Sequence, residues 1–195
     1  MQVEATNLPG VLLITPDVYG DRRGYFMETF QLARYRQSGV EVNFVQDNLS
    51  FSVRGTLRGL HFQNPRGQAK LVQVFQGEVF DVAVDIRRGS PTFGQWFGAV
   101  LSEENHRQLF IPAGFAHGFC VLSEAALFSY KCSEFYHPDC ECGVAWNDPE
   151  IGIRWPLSDP VLSDKDSRLP GLAELDRRRL PEYDESRPGS EVSQQ

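Results

Sequence analysis

The chain has 195 residues, carries a net charge of −7 at pH 7 and is 41% hydrophobic. This length suits one domain, and the acidic balance argues against a nucleic-acid-binding protein, which needs basic surface to neutralise phosphates. Eight of the 19 Lys and Arg residues nevertheless fall between Arg22 and Lys70. A local positive pocket on an acidic protein suits a small anionic ligand.

The sequence also limits the compartment. No apolar run approaches a transmembrane length, and residues 1–10 show no signal peptide. The four cysteines, Cys120, Cys132, Cys140 and Cys142, contain no Cys-x-x-Cys pair. We therefore expect reduced thiols in a cytoplasmic protein rather than a disulfide framework.

The first third of the chain predicts short extended segments separated by turns. Residues 11–14 are an apolar run, and residues 25–30 alternate in the manner of a strand after a turn at residues 21–24. A short helix is predicted for residues 31–37, ended by Ser38 and Gly39. Further extended segments are predicted at residues 42–52 and 56–62.

The middle of the chain predicts more strands, spaced by about ten residues. Two of them flank a Gln-Gly-Glu turn and have the pattern of a hairpin, and in the second Phe80, Val82 and Val84 share one face. The predicted strands are residues 71–75, 79–86, 92–101, 108–111, 119–122 and 126–132. This spacing predicts a mainly β jelly-roll β-sandwich with a few short peripheral helices.

The last part of the chain has a different composition. Residues 152–155 predict one more strand, residues 163–172 a loop and residues 172–179 a short helix. Residues 181–195 are polar and rich in Pro, Gly, Ser and Glu, so we expect a mobile tail there. The expected organisation is one domain over residues 1–180 followed by this tail.

The stretch at residues 58–70 holds His61 and Lys70, with Pro65 and Gly67 between them. Proline fixes φ and glycine permits positive φ, so the stretch predicts a turn whose ends face each other across a sheet. His61, a base, would then lie opposite the positive charge of Lys70. That pairing suits removal of a proton and retention of the resulting anion. A surface hairpin with a solvated lysine fits these residues equally well.

Residues 111–119 are the second feature, in which Pro112 and Gly114 shape a turn before His117. His117 is either a buried structural histidine or a partner of His61 on one inner face. Two histidines fall short of the three or more protein ligands usual for a divalent metal, and no further ligand follows His61 at metal-binding spacing. We therefore expect no metal.

Two tyrosines and two aspartates are further candidates. Tyr130 lies in a predicted strand and Tyr136 in a more irregular segment, and a core tyrosine is the default interpretation of either. Asp164 or Asp166 is suited to orient a histidine by accepting its second N–H. Sequence distance does not choose between these two aspartates.

Several motifs occur together and in a fixed order: Arg58-Gly-Leu-His61, Lys70-Leu-Val, residues 81–87, Gly89-Ser-Pro-Thr-Phe-Gly94, residues 111–118, Tyr130-Lys131, Trp146-Asn-Asp-Pro149 and residues 162–166. From about Gly10 to about Pro170 the chain thereby resembles the dTDP-4-dehydrorhamnose 3,5-epimerase family. The resemblance implies a cupin-like jelly roll that forms a homodimer. From the acidic charge and the lack of a long apolar run, we expect neither nucleic acid nor a membrane as a partner. It also implies an isomerase without metal or organic cofactor that converts dTDP-4-keto-6-deoxy-D-glucose to dTDP-4-keto-L-rhamnose.

The resemblance also implies residue roles. His61 matches the proton acceptor, Asp166 its partner carboxylate, and Lys70 the group that stabilises the enolate oxygen. Tyr130 matches the proton donor. The implied substrate-binding positions, some of which act across the dimer, are Arg23, Glu28, Gln46, Asp47, Asn48, Arg58, His117, Tyr136, Glu141 and Lys165.

Elementary chemistry agrees with these roles. Protons on C3 and C5 of a 4-keto sugar are acidic because they flank the ketone, and the enolate oxygen formed needs a preorganised cation or donor. Lys70 supplies that cation, an imidazole is suited to take a proton near neutral pH, and Tyr130 offers an acid for the opposite face. Arg23 and Arg58 suit a diphosphate.

Three other functions stay open. A mono-epimerase acting at C3 or C5 alone would use the same residues. A metal-dependent cupin oxygenase or isomerase would need a third and a fourth ligand. A non-catalytic sugar-nucleotide-binding sandwich would not need His61, Lys70, Tyr130 and Asp166 together.

Overall fold

A computed structural model describes residues 1–184, and in this part of the chain the backbone forms thirteen β-strands and one α-helix, α1 (Leu32–Gln37). The strands are β1 (Gln2–Ala5), β2 (Leu12–Thr15), β3 (Val18–Asp21), β4 (Gly24–Met27), β5 (Gln46–Val53), β6 (Leu57–Gln63), β7 (Lys70–Gln76), β8 (Glu78–Asp85), β9 (Trp96–Ser102), β10 (Gln108–Ile111), β11 (Phe115–Val121), β12 (Ala125–Cys132) and β13 (Glu141–Gly143). Short 3₁₀ turns lie at Pro138–Cys140, Asp166–Arg168, Leu172–Glu174 and Arg177–Arg179.

Two antiparallel sheets form the framework of the described chain. A six-stranded sheet has the order β1-β2-β10-β7-β12-β5, and a five-stranded sheet has the order β13-β6-β11-β8-β9. Strands β3 and β4 form a separate antiparallel pair. The predicted mainly β, jelly-roll class is confirmed, as is the short helix, whose first turn is capped by the side chain of Gln31.

The main core lies between the two large sheets, and the alternation along β8 shows how it is filled. Val79 and Ala83 of β8 pack into this core, whereas Val82 and Val84 point to the outer face of the five-stranded sheet. The second face is also buried, because the segment after β13 covers it with apolar side chains that include Leu172. The predicted face assignment on β8 is thus confirmed.

The predicted hairpin of β7 and β8 is wrong. Strand β7 pairs with β10 and β12 in the six-stranded sheet, while β8 pairs with β9 and β11 in the five-stranded sheet. The chain therefore crosses between sheets at Gly77, where φ is +80° and a Cβ would lie 2.1 Å from the carbonyl oxygen of Ala125. A turn residue marks a change of direction but does not say which strand becomes the neighbour.

Two predicted segments near the C-terminus also need correction. Residues 152–155 form no strand; this irregular segment is held by packing and by the indole N–H of Trp155, which donates to the carbonyl of Trp146 at 2.7 Å. The helix predicted for residues 172–179 is two 3₁₀ turns, because Asp176 accepts the N–H of Arg178 and starts a second turn.

The first residues of the predicted mobile tail contact the fold. Pro181 is buried, its carbonyl accepts the N–H of Arg88 at 2.8 Å, and the N–H of Tyr183 donates to the carbonyl of Arg88 at 3.0 Å. Residues 181–184 are therefore attached to the fold, and the rest of the predicted tail, residues 185–195, lies outside the described residues. Among the described residues there is no helix with the length and apolar character needed to cross a membrane.

Candidate active site

His61 and Lys70 face each other across the gap between the two large sheets. His61 lies on β6 of the five-stranded sheet and Lys70 on β7 of the six-stranded sheet, so they do not meet across a single sheet as the sequence predicted. Both line two adjoining cavities, together with Tyr130. We call these the Tyr136 cavity, of about 320 Å³, and the Arg58 cavity, of about 290 Å³, after one residue that lines each.

His61 is held by Asp166. Its Nε2 lies 2.5 Å from Oδ1 of Asp166, which the 3₁₀ turn Asp166–Arg168 presents to β6. Burial tends to raise the pKa of Asp166, but its hydrogen bond and charge interaction with His61 outweigh burial and lower the pKa. The ionised carboxylate can therefore fix the tautomer of His61 and stabilise its protonated form. Of the two aspartates that the sequence left open, the structure selects Asp166.

Lys70 is the first residue of β7, and its side chain lines the cleft. Burial lowers the pKa of its ammonium group, and the nearby Cys132 and Asp81 partly oppose this effect. Its Nζ lies 6.0 Å from the centre of the Tyr130 ring. A partly desolvated ammonium group is a strong hydrogen-bond donor to a developing oxyanion, since little water competes for it.

Tyr130 lies on β12, opposite Asn48 on β5. Burial raises the pKa of its hydroxyl, so the phenol keeps its proton at neutral pH. A protonated phenol in a cleft that also holds a paired histidine has the properties of a general acid.

His117 is the direct neighbour of His61 across β11 and β6. Its Nε2 lies 2.9 and 3.1 Å from the two carboxylate oxygens of Asp81, and its ring stacks on Phe128. Burial lowers the pKa of His117, although Asp81 opposes this effect. Sequence reasoning missed Asp81 as a site residue; the signal was an acidic residue on a strand face shared with Val79 and Ala83.

The rim of the cleft is tied together by Glu141. Its carboxylate accepts hydrogen bonds from the hydroxyl of Tyr136 at 2.8 Å and from Nζ of Lys165 at 2.5 Å. Burial tends to raise the pKa of Glu141, but Lys165 and Tyr136 outweigh it and lower the pKa. The structure thus brings these three predicted residues together beside His61.

The inner face of β5 supplies a polar stripe to the cleft. Gln46 and Asn48 line the Tyr136 cavity, and the amide of Gln46 donates to Oδ1 of Asn48 at 3.0 Å. Arg58 lines the neighbouring cavity and uses its Nε to donate to Oγ of Ser52 at 3.0 Å. Sequence reasoning missed Ser50, which continues this stripe.

Three predicted substrate-binding residues lie away from the cleft within this chain. Asp47 points to the outer face of β5, because side chains alternate along a strand, and pairs with Lys131 at 3.0 Å. Arg23 lies at the turn between β3 and β4 with 84% of its side chain exposed. Glu28 forms an ion pair with Arg34 at 3.2 Å.

A metal site was one open alternative. Within residues 1–184, no group of three or more His, Cys, Asp or Glu side chains is arranged to hold a metal ion.

Comparison with known proteins identifies the relatives of this chain. A family model for dTDP-4-dehydrorhamnose 3,5-epimerase matches residues 5–174. The chain belongs to this family. Within it, the dTDP-4-dehydrorhamnose 3,5-epimerase of Methanothermobacter thermautotrophicus is 55% identical over 172 residues, which cover 87% of this chain and 93% of that relative.

A solved structure from the family is similarly close. The crystal structure of dTDP-6-deoxy-D-glucose-3,5-epimerase from Legionella pneumophila, in complex with dTDP-4-keto-L-rhamnose, is 51% identical and has a TM-score of 0.92. The match covers 94% of this chain and 98% of that one. A relative from Streptomyces niveus, 42% identical over 94% of this chain and 90% of its own length, is a dTDP-4-dehydrorhamnose 3-epimerase.

Proposed function

We propose that this protein epimerises dTDP-4-keto-6-deoxy-D-glucose at C3 and C5 and releases dTDP-4-keto-L-rhamnose. The observation that carries the proposal is the His61–Asp166 pair, which lines one cleft together with Lys70 and Tyr130. A base, an oxyanion-stabilising cation and an acid are the groups that inversion next to a ketone requires. Family membership supplies the substrate class.

In the proposed reaction His61 takes the proton from the carbon next to the ketone. The electron pair of the broken C–H bond moves into an enolate, whose oxygen Lys70 stabilises with its ammonium group. Tyr130 then donates its phenolic proton to the carbon from the opposite face, which inverts the centre. Asp166 keeps His61 in the tautomer that accepts the proton and stabilises the imidazolium that results.

Ground-state affinity is assigned to other residues. Arg58, with its guanidinium at the cleft, suits the diphosphate, because guanidinium groups bind phosphate oxygens with two parallel hydrogen bonds. Gln46, Asn48 and Tyr136 lie at the neighbouring cavity and suit the nucleoside.

We further propose a homodimer in which Arg23 and Glu28 reach the partner's cleft. Neither lines the cleft of its own chain, yet β3 and β4 present the exposed aromatic residues Tyr25 and Phe26 beside them. Exposed aromatic side chains next to polar ones are typical of protein interfaces.

One domain over residues 1–180 and a cytoplasmic location are the remaining proposals. The segment that ends at Leu180 packs on the five-stranded sheet, which supports a single folding unit. All four cysteines are free, which suits a reducing compartment.

Inversion at C3 alone is the second candidate, because the Streptomyces niveus relative is a 3-epimerase. NMR of the product formed from dTDP-4-keto-6-deoxy-D-glucose distinguishes the two functions. We expect the L-rhamno configuration, with solvent deuterium at both C3 and C5 when the reaction runs in deuterium oxide. Deuterium at C3 alone would establish the mono-epimerase. If neither carbon exchanges its proton, both functions are refuted. A chelator tests for a metal, and we expect the activity to stay unchanged when it is added.

A further inference from the structure

The segment that carries Tyr136 is irregular, yet side chains fix its backbone. It comprises residues 133–137, between β12 and the 3₁₀ turn Pro138–Cys140, and we call it the Tyr136 segment. An irregular segment has no neighbouring strand to pair its N–H and C=O groups, so such segments are usually the mobile parts of a fold. In this protein glutamine side chains provide the pairing instead.

Gln63, the last residue of β6, holds the backbone on both sides of Tyr136. Its Nε2 donates to the carbonyl of Phe135 at 3.2 Å, and its Oε1 accepts the N–H of His137 at 2.8 Å. Nε2 also donates to the carbonyl of Arg66 at 2.8 Å, on the loop that follows β6. Only 4% of Gln63 is exposed, so little water competes for these hydrogen bonds.

Two further glutamines complete the arrangement. Oε1 of Gln46, on β5 of the other sheet, accepts the N–H of Tyr136 at 3.0 Å, and Nε2 of Gln68 donates to the carbonyl of Glu134 at 2.9 Å. We call Gln46, Gln63 and Gln68 the glutamine clamp, and all three line the Tyr136 cavity. Each of the residues 134–137 is thus bonded through its backbone to a member of the clamp.

The clamp fixes the position of a half-exposed aromatic side chain. Tyr136 is 50% exposed at the rim of the cleft, where its hydroxyl donates to Glu141 at 2.8 Å. Packing alone does not immobilise such a ring, so its position depends on the backbone that carries it. A binding residue that is already ordered before the ligand arrives strengthens binding, because the ligand does not have to order it.

We propose that the glutamine clamp, and Gln63 above all, positions Tyr136 and thereby raises the affinity of the cleft for the nucleoside diphosphate part of the substrate. This inference rests on the proposed function, in which Tyr136 lies at the nucleoside. It deepens that function by assigning a positioning role to a side chain that is bonded to backbone. Proton transfer should not depend on this role, because the base His61 is held by Asp166 instead.

The substitution Gln63→Met tests the proposal, because methionine has a similar length but cannot form the three hydrogen bonds. The ligand must then order the Tyr136 segment, so the Kd for dTDP in calorimetric titrations should rise by about 2-fold to 10-fold. KM for dTDP-4-keto-6-deoxy-D-glucose should rise by the same factor, while kcat stays near the wild-type value. Gln76→Met is the matched control, since Gln76 is also the last residue of its strand, β7, but is exposed and lines neither cavity.

A double-mutant cycle shows whether Gln63 acts through Tyr136. In a Tyr136→Ala background the ring that needs positioning is absent, so Gln63→Met should no longer weaken dTDP binding. An equal loss of affinity in both backgrounds would overturn the proposal, because it would reflect a general disturbance of the fold. Unchanged dTDP affinity in Gln63→Met would overturn it as well, as would a fall in kcat as large as the rise in KM.

Gln68→Met is the second variant, for the case that circular dichroism shows Gln63→Met to be unfolded. Gln68 is half-buried and gives the clamp one hydrogen bond, so its substitution should raise the Kd for dTDP by a smaller factor, and only when Tyr136 is present. In that case an unchanged Kd would overturn the proposal. Failure of the wild-type protein to turn over the substrate would instead refute the proposed function, and the dTDP titrations, which need no turnover, would still decide the role of the clamp.

Discussion

At the scale of single residues, we assign proton transfer and substrate binding to different side chains of the cleft. The His61–Asp166 pair combines a partly exposed imidazole with a buried carboxylate, and the side-chain exposures are 27% and 5%. Burying an unpaired carboxylate costs free energy. The hydrogen bond with His61 avoids this cost for Asp166 and also holds the imidazole in one orientation.

Tyr130→Phe separates abstraction from inversion. The variant keeps His61 and Lys70 but lacks the acid on the opposite face, so His61 can return a proton only to the face it came from. We expect net epimerisation to fall by about 10²-fold to 10⁴-fold. Recovered substrate in deuterium oxide should nevertheless gain deuterium with unchanged configuration, as NMR would measure. Inversion at the wild-type rate would remove Tyr130 from the mechanism and leave Tyr136 or a water as the next candidate.

Asp166→Asn tests the orientation of the base. Asparagine keeps the shape of the side chain but loses the charge and can hold His61 in the wrong tautomer, so kcat should fall by about 10²-fold to 10⁴-fold. KM should change little, because the binding residues are untouched. Asp164→Asn is the matched control, since Asp164 is exposed and close in sequence. Equal losses in the two variants would show that His61 does not depend on Asp166.

Sequence reasoning found residues with distinctive chemistry and missed those defined by their surroundings. His61, Lys70 and Tyr130 stand out as histidine, lysine and tyrosine near predicted turns and strands, and the structure brings them to one cleft. Asp81 and Ser50 are common residue types on strands. Asp81 matters because it pairs with His117, and Ser50 because it lines the Arg58 cavity. Both positions are set by strand register, which local sequence does not show.

At the scale of elements, strand pairing was the part that local patterns could not predict. Period-two alternation identified both faces of β8, because alternation is a local property of one strand. The partners of β7 and β8 depend instead on contacts between strands far apart in sequence. The strand predicted for residues 92–101 begins only at Trp96, because residues 91–94 form a turn.

A buried ionic network holds the turn after β8, where the sequence predicted that a strand begins at residue 92. The carboxylate of Asp85 accepts hydrogen bonds from the guanidinium of Arg87, at 2.9 and 2.7 Å, and from the hydroxyls of Ser90 and Thr92, both at 2.6 Å. The Arg87 guanidinium in turn lies 4.2 Å from the centre of the Phe115 ring. Pairing of this buried charge stabilises the turn, and loss of the Asp85 charge removes its ion pair with Arg87.

Asp85→Asn tests this network through its pH dependence. Burial tends to raise the pKa of Asp85, but Arg87 and the two hydroxyls outweigh it and lower the pKa. The stabilisation is therefore complete above the ordinary carboxyl pKa of about 4 and is lost as pH falls through the lower folded-state value. At pH 7 the variant should lose about 1.5–3 kcal/mol of unfolding free energy in urea titrations, and the difference from wild type should narrow below about pH 4.

The control for this prediction is Asp176→Asn. Asp176 also pairs with an arginine, Arg178, and this partner lowers its pKa to about 2, but the pair is exposed. Exposed pairs contribute little to stability, so the control should unfold much like the wild type. A difference between wild type and Asp85→Asn that stays constant from pH 7 to pH 3 would contradict the ionic explanation.

At the scale of the whole molecule, the two large sheets differ in how their outer faces are covered. The segment after β13 covers the five-stranded sheet, and α1 with its flanking residues covers part of the six-stranded sheet. The edge strand β5 stays open, and on its outer face Leu49 and Phe51 are both 62% exposed. An apolar, unpaired edge strand is an aggregation risk that a specific interface removes.

Phe51→Asp tests whether this face forms the proposed dimer. A carboxylate at an interface that must bury about 800 Å² per partner would stay desolvated and unpaired, so the variant should be monomeric at concentrations where the wild type is a dimer. Activity should fall with the dimer, because Arg23 and Glu28 would no longer reach a partner's cleft. Light scattering after size-exclusion chromatography gives the mass, and circular dichroism checks the fold.

Phe93→Asp is the control, since Phe93 is also exposed but lies in the turn after β8. A monomeric, fully active wild type would refute the dimer, and a dimeric Phe51→Asp would place the interface on another face.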